Sequence, residues 1–131
     1  MAIQYVTKQD KRKTGTGQWY GRAIHPTTVD LQTVAERIQR SCSMTKGDVM
    51  AVLTEMVNVM RDELQNSNKV RVDGLGTFYI SLRTKGAATE KEFNANDNVV
   101  GFSVRFLAQG KKGSNGMTRT FLDGIKVVKA V

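Results

Sequence analysis

Residues 44–83 read MTKGDVMAVLTEMVNVMRDELQNSNKVRVDGLGTFYISLR, and this stretch decides the fold. Thr45 followed by Asp48 resembles a capping box, with Asp in place of the usual Glu or Gln. Val49, Val52, Leu53, Met56, Val57, Met60 and Leu64 then recur at helical spacing over more than four turns. At this spacing Met50, Met56 and Met60 are core fillers rather than a metal or cofactor box. Asn66, Ser67 and Asn68 end the helix. Lys69 to Val72 is a strand, Asp73-Gly74-Leu75-Gly76 a tight turn, and Thr77 to Arg83 the next strand. Alternation puts Phe78, Ile80 and Leu82 on one face and Tyr79, Ser81 and Arg83 on the other. Two glycines around Leu75 predict that Gly74 or Gly76 adopts a backbone conformation a β-carbon would oppose.

Toward the N-terminus, Leu31, Val34, Ala35 and Ile38 share one face of a helix predicted over Asp30 to Arg40, with Asp30 or Thr28 as its cap. Ser41, Cys42 and Ser43 break the two helices apart, and Cys42 reads as a small buried hydrophobe. Ile3 to Thr7 and Trp19 to Ile24 form a hairpin around a long, mobile, basic loop, and Pro26 ends its second strand. Gly15-Thr16-Gly17 lacks the Gly-Lys-Ser/Thr of a phosphate loop.

Toward the C-terminus, Thr84 to Glu92 is a polar loop or arm tip. Val99 to Leu107 alternates as a strand, with Val100, Phe102, Val104 and Phe106 on one face. Gly110 to Gly116 reads as a flexible basic linker, and Ile125 to Ala130 as a final strand. Met117 to Leu122 fits either a helical turn closed by Gly124 or one arm of a hairpin through Asp123-Gly124.

The 131 residues, 40% hydrophobic and 24% charged, suit one globular domain. Twenty Lys and Arg against 12 Asp and Glu leave +8, which favours polyanions. The excess is uneven: residues 1–25 carry +4, 26–68 carry −2, 69–92 carry +2 and 111–131 carry +4. No apolar run approaches a membrane span, and Met1 to Val6 does not begin a secretory signal. One Cys and one His preclude an internal disulfide framework and the usual zinc ligand sets within one chain. His25, before Pro26, has no nucleophile motif beside it, so no catalytic residue, metal, cofactor or small-molecule substrate is expected. The single Cys fits a reducing cytoplasm.

The order of two helices, Met44-Thr45-Lys46-Gly47-Asp48-Val49, Val70-Arg71-Val72 and Gly74-Leu75-Gly76-Thr77-Phe78 resembles the bacterial histone-like HU and integration host factor family. Val104-Arg105-Phe106 to Gly110 is similar to that family's strand returning from its arm. The likeness covers about 80 of the 131 residues, and a longer HU-related group with an added N-terminal strand pair is most similar. It implies an α+β fold: a two-helix core, an antiparallel sheet with a short arm, an extra N-terminal hairpin and a C-terminal strand. The implied organisation is one HU-like domain over 1–131, with the extra hairpin at 1–26, the core at 28–110 and a basic extension at 111–131. The family's arm ends in Arg-Asn-Pro, whose proline wedges between base pairs. Here the one proline is Pro26, far from the arm, so the wedge does not carry over.

The resemblance implies a homodimer in the bacterial nucleoid that binds double-stranded DNA through its phosphates with little sequence reading. The broad stripe from Val49 to Leu64 independently asks for a partner chain or a sheet to cover it. The expected DNA-binding residues are Arg83, Lys85 and Lys91 around the arm, Lys69 and Arg71 on the preceding strand, and Lys111 and Lys112 beyond. Glu90 and Glu92 lie among them. The competing reading is an HU-fold protein–protein or scaffold module without DNA binding.

Overall fold

The computed structural model describes residues 1–130. Helix α1 spans Leu31–Ser41 and α2 spans Lys46–Gln65. Asp30 caps α1: its carboxylate accepts from the Thr33 backbone N–H at 2.9 Å and the Thr33 hydroxyl at 2.8 Å. These bonds hold the Asp30 carboxyl below its ordinary pKa. Thr45 caps α2 as expected, its Oγ1 accepting from the Asp48 N–H at 3.2 Å, but the Asp48 carboxylate accepts from the Thr45 hydroxyl at 2.8 Å rather than from the backbone N–H that completes a capping box. A salt bridge of 2.8 Å between Lys46 and Glu36 ties the helices together and lowers the Glu36 pKa.

Strands β1 (Ile3–Gln9) and β2 (Trp19–Ala23) pair antiparallel as the predicted hairpin. Strands β3 (Val70–Val72), β4 (Gly76–Thr84) and β5 (Val99–Ala108) form an antiparallel sheet in that order. Between β4 and β5 the chain closes through a four-residue helix, α3 (Ala95–Asn98). The turn before β4 uses both glycines at positive φ, Gly74 at 87° and Gly76 at 151°. A β-carbon on Gly76 would also press on the Leu107 carbonyl and lie 2.6 Å from the Phe106 ring, so β5 can approach only because Gly76 has none.

Several segments depart from the sequence reading. Gly110 to Gly116 is not a linker: β6 (Gly110–Gly113) and β7 (Gly116–Arg119) pair as a hairpin around Ser114-Asn115, with Gly116 at φ 104°. Met117 to Leu122 therefore divides, its first part completing β7 and Thr120–Leu122 forming a 3-10 turn. The final strand, β8 (Val127–Lys129), pairs parallel with β1, giving a second sheet in the order β2-β1-β8. Cys42 is exposed, because the turn between the helices carries it outward rather than into the core. The loop expected to be mobile between β1 and β2 folds back on itself: Asp10 N–H donates to the Gln18 carbonyl, and Gln9 Nε2 to the Gly17 carbonyl at 3.0 Å.

Only two hydrophobic side chains among the described residues are buried, Ala35 and Val49. Val52, Met56 and Val57 on α2 remain exposed, as do Leu82, Val100, Phe102, Val104 and Phe106 on one face of the β3-β4-β5 sheet. That face opens onto an apolar groove lined by Met56, Met60, Leu64, Phe78, Ile80 and Val104.

Candidate nucleic-acid interface

The register of the β3-β4-β5 sheet sorts its side chains into two unlike faces. On one, Phe78 stands opposite Phe106, Ile80 opposite Val104, and Leu82 opposite Phe102. The Phe78 and Phe106 rings pack at 4.7 Å between centroids. On the other face, Arg71 stands opposite Thr77, Tyr79 opposite Arg105, Ser81 opposite Ser103, and Arg83 opposite Gly101. Directly paired residues project from the same side of a sheet, so these form one polar surface.

Each cation on that surface is positioned by its neighbours. Lys69 lies with Nζ 5.1 Å from the centroid of the Tyr79 ring, a cation–π contact. Arg71 Nε is 3.4 Å from Asp73 Oδ1, and both side chains are largely in water, so the pair is weakly held. Arg105 Nε donates to Ser81 Oγ at 3.3 Å. The Arg83 guanidinium crosses over Gly101, where a β-carbon would collide with it. Lys69, Arg71, Thr77, Tyr79 and Leu107 enclose a shallow hollow on this face, with Asp73 its single carboxylate. From the level of Arg71 to that of Arg83 the surface runs about 20 Å, at roughly 3.4 Å per residue.

Of the residues predicted from sequence, Lys69, Arg71 and Arg83 share this surface. Lys85 and Lys91 are exposed on the loop beyond the end of β4. Lys111 and Lys112 are exposed on β6, past the opposite end of β5, about 30 Å away along the strand. The seven cations are thus spread along the sheet and beyond both of its ends rather than gathered in one cluster. Arg105 is not among those expected; residues 93–110 carry it against Asp97 and have no net charge. The signal that could have found it is parity: it alternates with Val104 and Phe106 and so points away from them.

The loop at the tip is closed rather than arm-like. Asn98 is buried, and its Nδ2 donates to the Lys85 and Gly86 carbonyls at 3.1 and 3.2 Å. Its Oδ1 accepts from the Asn94 N–H at 3.0 Å. Asn94 in turn caps α3, accepting from the Asp97 N–H at 2.9 Å. At the other end of the sheet, Arg119 Nη1 donates to the Ala108 carbonyl at 2.7 Å and Gln109 Oε1 accepts from the Gly74 N–H at 2.6 Å, fixing the β6-β7 hairpin there.

Among the described residues no group of three or more His, Cys, Asp and Glu is placed to hold a metal, and no helix is long and apolar enough to cross a membrane.

Two solved structures are similar to this one. A candidate bacterial DNA-binding protein from Bacteroides vulgatus ATCC 8482 superimposes with a TM-score of 0.63 at 13% identity, over 98% of this chain and 47% of its own. The chain therefore spans about half the length of that protein. Anabaena HU, crystallised with DNA, superimposes with a TM-score of 0.50 at 17% identity, over 72% of this chain and 95% of its own. At these identities the likeness is one of fold. No curated protein matches the chain. Residues 1–121 match the family HU-HIG, described as an HU domain fused to wHTH, Ig or a glycine-rich motif. With the two capped helices, the Gly-Leu-Gly-Thr-Phe turn and the β3-β4-β5 sheet all present, this chain belongs to that HU family.

Proposed function

We propose that two copies of this chain form a dimer that binds double-stranded DNA through the phosphate backbone, with little reading of sequence. The observation that carries this is the polar face of the β3-β4-β5 sheet, where Lys69, Arg71, Arg83 and Arg105 line up with Asp73 as the one carboxylate in the hollow beside them. Lys85 and Lys91 lie beyond this row at the tip, and Lys111 and Lys112 at the far end. DNA carries about one charge per 1.7 Å of axis, so a row of cations on a rigid sheet finds phosphates at any register. Family membership and the DNA in the Anabaena HU crystal support the same reading.

Dimerisation is supported by what one chain leaves uncovered. Val52 and Val57 of α2 and Phe102 and Val104 of β5 are each more than half exposed. With two buried apolar side chains among its described residues, a single copy has too little core to offset its conformational entropy. Closing a second copy over the groove between α2 and the sheet supplies the missing burial. In this arrangement residues 28–110 are the HU-like core, 1–26 an added hairpin and 111–131 a basic extension. The proposed place of action is the bacterial nucleoid, and the role is binding rather than catalysis.

Electrophoretic shift of random duplexes at rising salt tests this reading. Similar affinity across sequences is expected, with log K falling linearly against log salt at about 0.9 per phosphate contacted. Bending is expected to be weaker than with a proline-tipped arm, since the loop from Lys85 to Asn98 contains no proline to wedge between base pairs. The closed tip, stapled by Asn98, favours a second reading, an HU-fold scaffold that binds protein instead. Absence of any shift at low salt would remove the DNA reading and leave the scaffold reading in its place.

A further inference from the structure

The β1-β2 hairpin lies outside the proposed duplex site and carries its own distinct chemistry. Trp19 is 64% exposed at the end of the ladder, paired with Gln9. On its side of β2 the next residues are Gly21 and Ala23, neither taller than a methyl group, so the indole stands clear of its neighbours. Thr7, Lys8, Lys11, Arg12 and Trp19 line a shallow groove there.

The loop holds one of these cations rigidly. Asp10 accepts from Arg12 Nε at 3.0 Å, from Nη2 at 2.9 Å and from the Arg12 backbone N–H at 3.1 Å. Gly15 packs against that carboxylate, where a β-carbon would lie only 2.6 Å from it. The Asp10 side chain is 8% exposed and is the sole side-chain carboxylate in residues 1–25, whereas the Arg12 side chain is 80% exposed. Lys8, Lys11, Lys13 and Arg22 have no ion-pair partner among the described residues.

An exposed indole among uncompensated cations fits a partner with both π-faces and negative charge. A second copy of this hairpin would bring the same cations against one another. Unpaired bases on a phosphate backbone satisfy both demands, since stacking on an aromatic ring and phosphate contact are how single strands are bound. We propose that the β1-β2 hairpin is a second nucleic-acid surface, specific for single strands, in which Trp19 stacks on an unpaired base while Lys11 and Arg12 hold the adjoining phosphates. This goes beyond duplex binding and does not depend on it.

Trp19 is the one tryptophan in the chain, so its fluorescence reports this surface alone. The full chain is titrated with oligothymidine, oligouridine, a duplex, and heparin, a polyanion without bases. Both single strands are expected to quench Trp19, and heparin is not. The tighter of the two identifies DNA or RNA as the preferred source of the unpaired base. Trp19→Ala should weaken binding of a labelled single strand roughly ten-fold or more, read by anisotropy, with Trp19→Phe retaining most of it. Lys11→Ala should lower the salt slope by up to about 0.7, one phosphate equivalent on a single strand. Equal quenching by heparin, quenching by the duplex alone, or full single-strand affinity in Trp19→Ala would overturn the proposal. So would a Trp19 signal that changes with protein concentration without nucleic acid, which would place a second copy on the indole. Replacing Arg71, Arg83 and Arg105 by Ala separates the two sites: duplex shift should fall while Trp19 quenching persists. Wild-type protein that shifts duplex but shows no Trp19 response would sink this proposal and leave the duplex reading standing, and the converse result would do the opposite.

Discussion

Ser103 and Val104 are neighbours on β5, yet they belong to two surfaces with opposite requirements. Val104 shares a face with Ile80, Phe78 and Phe106, and Ser103 one with Ser81, Arg83 and Arg105. Both faces of the sheet are open in a single chain. The difference is in what water does to each. Apolar side chains gain by leaving it, at about 25 cal/mol per Å² of apolar surface removed. Arginines on the other face keep their hydration until phosphates release counterions in exchange. One sheet can therefore serve as half of a protein interface and as a polyanion surface at once, and the pleat alone keeps the two apart.

The largest expected effect tests the apolar side. Val104→Asp should abolish assembly and with it stable folding, a loss of about 3–5 kcal/mol from an unpaired charge in a shared core. Circular dichroism and sedimentation at micromolar concentration read this directly. In a chain that works as a monomer, Val104 is a surface residue and the same change would cost under about 0.5 kcal/mol, so a folded, unperturbed variant breaks the comparison. Met56→Asp on the facing helix should behave in the same way.

Gly76→Ala comes next and perturbs both faces, because Gly76 sets how closely β5 approaches β4. A loss of about 1–3 kcal/mol in denaturant unfolding is expected from the strained φ together with the clash at Leu107. Gly74→Ala, with positive φ but open space around it, should cost less. Equal losses at the two positions would mean that the backbone conformation matters and the close approach does not.

On the polar side, replacing Arg83 and Arg105 by Ala should leave the unfolding midpoint nearly unchanged. It should weaken all duplexes by a similar factor and flatten the salt dependence by up to about two phosphate equivalents, near 1.8 in slope. Replacing Arg83 and Lys85 instead tests whether the surface continues around the tip. An unchanged slope in both variants would move the site to Lys111 and Lys112 or to the termini. Ser103→Asp should likewise preserve assembly while weakening DNA binding, the mirror image of Val104→Asp.

Arg71→Ala is the smallest effect anticipated. Asp73 already competes for this guanidinium, so removing it should change the salt slope by less than one phosphate equivalent. Asp73→Ala should tighten binding slightly by releasing Arg71. If Arg71→Ala instead weakens binding as much as Arg105→Ala, the Arg71–Asp73 pair is open in the complex.

Local signals in the chain determined most of the elements. The cap at Thr45, the helical recurrence from Val49 to Leu64, the glycines at 74 and 76 and the alternation in β4 and β5 are each short-range consequences of sterics and burial, so they can be read within one window of residues. The resemblance to HU followed from the same windows. Tertiary structure decided what depends on pairing between distant segments. Arg105 joins Tyr79 and Arg83 only through the β4-β5 register, and β8 reaches β1 from more than a hundred residues away. Gly110 to Gly116 has the composition of a linker, but Asn115-Gly116 turns it into a hairpin whose ends are held by Arg119 and Gln109 on the neighbouring sheet. Asp10 closes a loop whose Lys and Gly content alone suggests mobility, through bonds to Arg12 and packing against Gly15. Composition measures a segment's average preference, whereas a few hydrogen bonds to fixed partners outweigh that preference once the partners are in place.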